Sequence, residues 1–411
     1  MRSRFVTTSQ RSQRISGRKP SLRARLFRRL VCVVSQPVQI SAARPFDCDR
    51  APGRRRSPYN VALGDRLLAL GRAVGLDAVG TTDAAPFLDA RAALHERKAA
   101  GLHGEMAFTY KNPDRSTEPS AALPGAATLI VGARFNKRAE QVMPGEPSGR
   151  IARYSWVDHY APLRHALQTM ANELKAEGYR TRILADDNTL VDRAAAHRAG
   201  LGWFGKNANL LLPGRGSWCV LGSLLTDAAL PVVEEIVADG CGSCVRCIEG
   251  CPTGAIVAPG VVDARRCLAW LAQRPGKFPE EFLEALGDRI YGCDDCQEVC
   301  PPNRMQDRRD PPHDADAGAQ PFTGLVELVL DDDSSILARH GRFYLPARDV
   351  NVLRRNALIA LGNTVGLDAD GTFPGRVGAA LTAGAASADE AVRHAAAFAV
   401  RSISARRSRH G

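Results

Sequence analysis

The sequence lacks any run of about 18 or more apolar residues, the length that a membrane-spanning helix needs. It is also poor in aromatic residues, which make up 6% of its 411 residues. One short apolar stretch, 30–34, follows basic residues as the core of a signal peptide would, but polar residues end it, so we predict no signal peptide. With 45% hydrophobic and 24% charged residues, the composition predicts a soluble globular protein of two or three domains.

Acidic side chains are nearly absent from residues 1–58, where two aspartates stand against fourteen arginines and one lysine, a net charge of +13. The other 353 residues carry 40 basic and 42 acidic side chains, a net charge of −2. The overall charge of +11 would ordinarily indicate a nucleic-acid partner, but all of it belongs to this segment. Because the segment shows no sustained apolar period, we predict a disordered basic extension or a start codon assigned too far upstream.

Apolar spacing predicts an ordered domain over 59–230. Its helices are expected at 61–75, 163–178 and 187–200, and its buried strands at 126–133 and 180–185. The alternation of strand and helix is typical of an α/β domain. After it, closely spaced Cys, Gly and Pro mark a second domain over 231–305. A polar stretch, 306–320, predicts a linker.

Residues 321–411 have the composition of a helical domain. Stretches 352–361 and 390–403 are rich in Ala, Leu and Val, and a third candidate helix lies between them. Helical hairpins of this kind predict a small HEAT-like repeat domain.

Eight of the eleven cysteines fall between residues 241 and 300. Such a density in a long chain indicates metal or cluster ligation rather than a disulfide scaffold. Residues 241–252 read C-x₂-C-x₂-C-x₃-C-P, the bacterial ferredoxin pattern, whose fourth cysteine binds the neighbouring cluster. Residues 293–301 repeat the C-x₂-C-x₃-C-P part, and Cys267 stands alone between the two patterns.

An exchange of ligands between two [4Fe–4S] clusters uses all eight of these thiols. One cluster would be bound by Cys241, Cys244, Cys247 and Cys300, and the other by Cys251, Cys267, Cys293 and Cys296. Structural zinc uses the same thiolates, but it does not account for the x₃-C-P spacing occurring twice. Cluster assembly needs reduced thiols, which indicates the cytoplasm. Two adjacent clusters serve either an electron carrier or an enzyme, and the preceding domain of about 170 residues favours the enzyme.

Residues 186–207 identify a family. The segment 199–206 reads Ala-Gly-Leu-Gly-Trp-Phe-Gly-Lys, and together with the cysteine patterns at 241–252 and 292–301 it closely resembles epoxyqueuosine reductase, a cobalamin-dependent iron–sulfur enzyme of tRNA modification. The likeness extends from about residue 63 to 304 and is weaker in the helical part. Residues 1–58 have no counterpart in the family.

The resemblance implies a fold, a reaction and partners. It implies a cobalamin-binding α/β (α+β) reductase domain, a bacterial-ferredoxin-like double [4Fe–4S] domain and a C-terminal α-helical domain. Base-off cobalamin would lie between the first two domains, and electrons from an external donor would pass through both clusters to cobalt. The reaction would remove the epoxide oxygen of epoxyqueuosine at the wobble position of a tRNA. The family also implies a monomer.

Loss of an epoxide oxygen needs a proton donor, and a carboxylic acid that burial keeps protonated is a simple one. Asp186, at the end of the predicted strand 180–185, occupies the position of the family's proton-donating aspartate. The neighbouring Asp187 remains a rival, because Asp187-Asn-Thr stands where the family frequently has Ser-x-Pro.

Other residues match family positions that contact cofactor or tRNA. The expected cobalamin contacts are Arg115, Tyr154, Asp158, His159, Asp186, Leu210, Leu221, Ala269, Cys293 and Asp294. The expected tRNA contacts are Gln273, Arg274 and Lys277, with Arg265, Arg266, Arg354 and Arg355 as further basic candidates. Trp203 and Trp218 are expected to be packing residues.

Two other functions remain possible from the sequence alone. A reductive dehalogenase uses a similar cofactor arrangement on small halogenated substrates, although such enzymes typically carry an export signal. A ferredoxin-type electron carrier would need the clusters without cobalamin.

Overall fold

The computed structural model describes residues 59–136, 147–310 and 318–407. The predicted disordered extension, 1–58, lies outside these residues. None of the helices in the described ranges is long and apolar enough to cross a membrane. The first helix begins where the apolar spacing predicts, and the Asn60 side chain caps it by accepting a hydrogen bond from the Leu63 N–H at 3.1 Å.

The strands of the described chain form one four-stranded sheet and three small sheets. They are β1 (Ala78–Asp83), β2 (Thr128–Phe135), β3 (Ser148–Ile151), β4 (Thr181–Ala185), β5 (Trp203–Phe204), β6 (Leu210–Leu211), β7 (Cys219–Thr226), β8 (Ile256–Ala258), β9 (Val261–Val262), β10 (Arg289–Tyr291) and β11 (Phe322–Gly324). The main sheet has the order β1-β2-β7-β4, and each neighbouring pair is antiparallel. Of the two forms of the predicted fold class, α/β and α+β, the observed one is therefore α+β.

Helices cover both faces of this sheet and form the C-terminal part. They are α1 (Val61–Ala73), α2 (Leu88–Ala99), α3 (Pro113–Ser116), α4 (Tyr160–Ala176), α5 (Asp192–Arg198), α6 (Arg246–Glu249), α7 (Leu268–Leu271), α8 (Asp295–Glu298), α9 (Pro301–Arg309), α10 (Leu325–Leu330), α11 (Asp333–His340), α12 (Asn351–Thr364), α13 (Val377–Ala385) and α14 (Glu390–Arg407). Helices α1 and α4 pack on one face, where Ile130 of β2 is buried, and α5 packs on the other, where Leu129 and Val131 are buried. Alternate residues of β2 thus face two separate cores.

Most of the predicted elements are present with small shifts of their ends. The expected strands at 126–133 and 180–185 are β2 and β4, and the expected helices at 352–361 and 390–403 are α12 and α14. The third candidate helix is α13. Helix α5 is shorter than predicted, because an extended loop, 186–191, precedes it. That loop carries the predicted proton donor.

The cysteine-rich part and the helical tail (α10–α14) share a single hydrophobic core. Leu271 and Ile290 from the first pack with Leu353 and Leu358 from the second. Helix α9 also continues to Arg309 and so includes the first four residues of the expected linker, 306–309. The expected boundary between 231–305 and 321–411 thus separates segments whose side chains pack together.

A small sheet joins the three parts of the chain. Strand β3 pairs in parallel with β10 of the cysteine-rich part and antiparallel with β11, which precedes the helical tail. After β3, Trp156 is buried in the shared core. The segment 147–160, expected within the first domain, therefore holds the other parts against it.

Candidate active site

A large cavity lies between the main sheet, the cysteine-rich part and the helical tail. Its volume is about 1870 Å³. Pockets for drug-sized ligands hold roughly 300–1,000 Å³, so this central cavity suits a considerably larger group. It is lined by residues of the loop 186–191, by five cysteines, of which Cys219 lies in β7 and the other four in the cysteine-rich part, and by the segment 342–344.

Asp186 is the first residue after β4, and its side chain lines the central cavity. Its backbone adopts φ = +57°, a left-handed conformation that is strained for a residue with a Cβ. Partial burial is the largest influence on its carboxyl group and raises its pKa, Arg164 lowers the pKa, and Asp158 and Asp187 raise it further. The carboxyl group therefore stays protonated to a higher pH than an ordinary aspartate.

Asp187 has a different environment from Asp186, although it also lines the cavity. Its Oδ1 accepts hydrogen bonds from the Thr189 N–H at 2.8 Å and from the Thr189 hydroxyl group. This is an Asx turn, which uses the carboxylate to hold the loop. The contacts support a structural role for Asp187 and leave Asp186 as the carboxyl group without such bonds.

Of the eight clustered cysteines, four line the central cavity and the other four, the outer set, do not. In the outer set, burial is the main reason why the pKa of Cys247 is raised, and the charges of Cys241 and Cys244 raise it further. Burial also raises the pKa of Cys300, and the charges of Cys241, Cys247 and Cys244 add to this effect. The members of the outer set are Cys241, Cys244, Cys247 and Cys300.

The second set faces the central cavity. Burial is again the main reason why the pKa of Cys296 lies well above its usual range, followed by the charges of Cys293 and Cys267 and, more weakly, of Cys251. All four line the cavity, whereas none of the outer set does. This cavity-facing set consists of Cys251, Cys267, Cys293 and Cys296, the four cysteines that the sequence analysis assigns to the second cluster.

The glycine-rich segment 202–207 connects the first domain to both sets of cysteines. The Lys206 ammonium donates to the Gly242 carbonyl at 2.6 Å, and the Asn207 amide donates to the Cys296 carbonyl at 3.3 Å. Gly202 has no room for a side chain, since a Cβ there would lie 2.1 Å from the Leu211 carbonyl oxygen. The segment that identifies the family thus fastens both cysteine loops to the sheet domain.

Nine of the ten expected cobalamin contacts line the central cavity. They are Tyr154, Asp158, His159, Asp186, Leu210, Leu221, Ala269, Cys293 and Asp294. Asp158 also caps α4, because its Oδ1 accepts from the backbone N–H groups of Tyr160 and Ala161. Leu210 and Leu221 belong equally to the core of the sheet domain.

Arg115 is the expected contact that the structure does not bring to the cavity. It is an exposed residue of α3, and the Asn112 side chain accepts from its backbone N–H at 3.1 Å. The cavity wall near this helix is formed by 106–111 instead. Sequence position alone did not reveal that Arg115 is absent from this wall.

Asp294 lies between two cysteines of the cavity-facing set. Its carboxylate accepts from the Arg153 backbone N–H at 2.7 Å and from the Gln297 amide at 3.2 Å. Burial raises the pKa of Asp294 to about 6 against the effect of the Arg153 hydrogen bond. Arg153 is itself buried, and its guanidinium bonds to Asp307 at 2.6 Å, so this pair joins the turn after β3 to α9.

The expected tRNA contacts lie on one loop beside the cavity. Gln273 lines the cavity, and its amide lies 3.4 Å from the Tyr154 hydroxyl. Lys277 is exposed and pairs with Glu390 of the helical tail at 2.6 Å. Arg274 is partly exposed. The further candidates Arg265 and Arg266 are already engaged, with Asp263 and with the Thr253 carbonyl respectively.

The expectation that Arg355 contacts tRNA is wrong. Its side chain is 1% exposed, and its guanidinium donates to the carbonyl groups of Leu271, Arg274 and Gly276. Burial lowers the pKa of Arg355 to about 9. Arg354 is also largely covered, and it pairs with Asp333 at 2.7 Å. The helical repeat turns both side chains inward, which the sequence pattern does not distinguish from a basic surface.

Sequence reasoning missed two features of the cavity wall. Arg342, Phe343 and Tyr344 reach it from the helical tail, and Phe343 stacks on Tyr291 with ring centroids 4.1 Å apart. Asp192, the first residue of α5, is a further carboxyl group on the wall. Only its position within the family segment could have drawn attention to it. Trp203 and Trp218 are buried, as expected of packing residues.

The cavity, the acid on its wall and the cysteines beside it define an iron–sulfur oxidoreductase. The family described as a 4Fe-4S double cluster binding domain matches residues 240–303, and it decides for clusters against zinc. Epoxyqueuosine reductase of Bacillus cereus is 33% identical over 73% of this chain and 80% of its own length. Epoxyqueuosine reductase of Vibrio cholerae is 36% identical over 71% of this chain and 80% of its own length. The chain belongs to the epoxyqueuosine reductase family.

Solved structures agree with this assignment. An epoxyqueuosine reductase with an epoxyqueuosine-modified tRNA-Tyr stem loop superposes with a TM-score of 0.74 at 28% identity, over 83% of this chain and 90% of that one. The Bacillus subtilis enzyme with its catalytic aspartate loop swung out of the active site gives a TM-score of 0.73 at 28% identity, over the same shares.

Proposed function

We propose that this protein reduces epoxyqueuosine to queuosine at the wobble position of tRNA, with electrons from an external donor passing through two [4Fe–4S] clusters to cobalamin. One observation carries the proposal. A single cavity, large enough for a corrinoid, has the Asp186 carboxyl group on one wall and the cavity-facing cysteines on another. Membership of the family supplies the reaction that this arrangement would serve.

The outer set and the cavity-facing set are proposed as the ligands of one cluster each. The exposed loop 239–246 carries Cys241 and Cys244, so the outer cluster is the one that an external donor would reach. The cavity-facing cluster would then pass electrons inward. The separation of the thiols into the two predicted sets supports this order.

Cobalamin, when bound, would supply the cobalt centre that delivers electrons to the epoxide. The cavity fits it in size, in its mixture of apolar and polar wall residues, and in its position beside the cavity-facing set. The residues proposed to hold it are the nine that line the cavity: Tyr154, Asp158, His159, Asp186, Leu210, Leu221, Ala269, Cys293 and Asp294. Arg115 is not among them.

Asp186 is proposed to donate a proton to the departing epoxide oxygen. Its raised pKa keeps the acid form available, and the strained backbone holds its side chain at the cavity. The swung-out catalytic aspartate loop of the Bacillus subtilis enzyme concerns that protein, and it shows that such a loop can move there. The loop 186–191 is the corresponding element proposed for this chain.

The tRNA is proposed to contact Gln273, Arg274 and Lys277 at the rim of the cavity. A relative with a bound tRNA stem loop supports a nucleic-acid substrate for this family. Because the described part has little net charge, such binding would rest on a local basic patch. A monomer in the cytoplasm, and a division near 59–230, 231–305 and 321–411, remain proposals of the same kind.

The test is an anaerobic assay with reconstituted clusters, added cobalamin, a chemical reductant and epoxyqueuosine-containing tRNA. Nucleoside analysis should show queuosine replacing epoxyqueuosine. Halogenated aromatic compounds serve as the comparison substrate. Dehalogenation without any conversion of the tRNA would favour the dehalogenase alternative, and a protein that retains no cobalamin would favour the electron carrier.

A further inference from the structure

Removal of an epoxide oxygen as water consumes two electrons and two protons for each alkene formed. The two electrons come from the external donor through the clusters. Asp186 can hold only one of the two protons. If the proposed function is right, the cavity needs a second acid, or a supply of protons to Asp186.

Most other carboxyl groups on the described cavity wall already accept hydrogen bonds, which favour the ionised form. Asp158 accepts from backbone N–H groups, Asp187 from Thr189, and Asp294 from Arg153 and Gln297. Asp295 forms an ion pair with Arg289 at 2.6 Å. These four carboxyl groups are therefore already held by hydrogen bonds or an ion pair, and none of them is the second acid that we infer.

Asp192 has a different environment. Its Oδ1 is buried and has no hydrogen-bond partner. An ionised carboxylate with such an oxygen would lose its hydration without compensation, which is costly, whereas the acid form is not. An acid at the first turn of a helix more often stabilises the helix dipole as a carboxylate, but that role requires the charged form.

The groups that face Asp192 come from three elements. Burial raises its pKa well above the usual range, Asp186 raises it further, Arg193 lowers it, and Asp187 raises it. Tyr160 at the start of α4 is also within range of its charge. Two carboxyl groups on one cavity, at the two ends of the loop 186–191, thus lie close enough to influence each other.

We propose that Asp192 holds the second proton of the reaction and passes it to Asp186 after Asp186 has protonated the departing oxygen. The step moves a proton and no electrons. The O–H bond of Asp192 breaks and an O–H bond forms at the Asp186 carboxylate. Asp186 then gives this second proton to the same oxygen, whose remaining C–O bond breaks as water leaves. Both acids regain a proton from water before the next turnover. This inference rests on the proposed function, and it makes Asp192 a positioning residue that acts through Asp186.

Infrared spectroscopy of the cluster-loaded protein tests the protonation directly, with and without cobalamin. The C=O stretch of a protonated carboxylic acid at pH 7 should lose one component in Asp192→Asn. The control, Asp227→Asn, removes an aspartate whose pKa the Arg180 side chain lowers, so it should leave the band intact. An unchanged band in Asp192→Asn would overturn the proposal.

Kinetics with epoxyqueuosine-containing tRNA test the relay. At pH 8 the kcat of Asp192→Asn should be about 10²-fold below that of the wild type. At pH 6 it should recover toward the wild-type value, because solvent acids replace the relay. The KM for tRNA should not change. Asp192→Glu should restore much of kcat at pH 8. If the wild type converts tRNA and the kcat of Asp192→Asn falls equally at both pH values, or does not fall at all, the relay is refuted. A wild type that converts no tRNA would instead refute the proposed function itself.

Discussion

Asp186 and Asp187 are adjacent in sequence and differ in what surrounds them. Asp187 is bonded to its own loop, while Asp186 faces the cavity with a raised pKa. Sequence alone could not separate them, because both follow the same predicted strand. The Asx turn, which depends on Thr189, distinguishes the two.

We expect Asp186→Asn to lower kcat at least about 10²-fold, since the amide cannot donate the proton in the same way. Asp187→Asn should remain within tenfold of the wild type. In the wild type, kcat should decline as pH rises through the raised pKa of Asp186, because the acid form is the active one. Cobalamin retention and iron content are the controls for both variants. If Asp187→Asn alone were inactive, the roles would have to be exchanged.

Local spacing predicted the residues whose function depends on neighbours in sequence. The cysteines assigned to the second cluster are those that line the central cavity, although only Cys293 and Cys296 of that set are close in the chain. Arg355 was misjudged because its burial depends on helix packing, and Arg115 is exposed and not among the residues that line the cavity. Phe343 and Tyr344 could not be predicted at all, because the tail reaches the cavity only in the folded protein.

At the scale of elements, amphipathic periods located α1, α4, α12 and α14 and the buried strands β2 and β4. The apolar spacing does not predict which strands pair with each other. Antiparallel order depends on contacts between β1, β2, β7 and β4, which lie far apart in sequence. The strand β3, only four residues long, carries no period that would reveal its pairing with two other parts of the chain.

Helix α12 holds the loop that carries the proposed tRNA contacts. Arg355 donates to three carbonyl groups of 271–276, and Asn356 donates to the carbonyl groups of Ala272 and Ile290. Removing the donors would leave buried carbonyl groups without partners. The helical tail thus acts on the rim of the cavity from inside the protein.

We expect Arg355→Met to lower the free energy of unfolding by at least about 2 kcal/mol, from the lost hydrogen bonds. Urea denaturation of the cluster-loaded protein measures it. The Arg355→Met substitution should also raise the KM for tRNA more than it lowers kcat, because the loop 271–277 loses the hydrogen bonds that hold it. Arg354→Met, which removes a neighbouring and better exposed cation, should change both quantities less. Equal effects of the two substitutions would contradict this account.

Substitution of one cysteine is expected to change the iron content according to the set to which that cysteine belongs. Cys267→Ser should lose about half of the iron and the signal of one reduced cluster, because it removes a ligand of the cavity-facing set only. Cys219→Ser is the control, since Cys219 lies in β7 and burial raises its pKa to about 12. Iron analysis and electron paramagnetic resonance give the readout. Complete loss of iron from Cys267→Ser, or loss from Cys219→Ser, would refute the assignment.

At the scale of the whole molecule, the charge and the site belong to different segments. The net charge of +13 lies in residues 1–58, while every proposed site residue lies after position 150. A basic extension strengthens binding to any nucleic acid in a salt-dependent way. It does not by itself position a substrate.

We therefore expect a chain without residues 1–58 to keep kcat at saturating tRNA. Its affinity for tRNA should fall at low salt and approach that of the full chain as salt rises, because only non-specific phosphate contacts are lost. Turnover and binding measured across a salt series provide the test. A fall of kcat by more than tenfold would show that the segment takes part in the reaction.

The reaction in a cell gives the most direct test of the proposed function. A bacterial strain without its own epoxyqueuosine reductase should accumulate epoxyqueuosine in tRNA, and nucleoside analysis after expression of this chain measures its activity directly. We predict that queuosine replaces epoxyqueuosine when the wild-type chain is expressed with cobalamin in the medium, and that Asp186→Asn fails to restore it. Persistent epoxyqueuosine with the wild-type chain, expressed as a cluster-loaded and folded protein, would contradict the account.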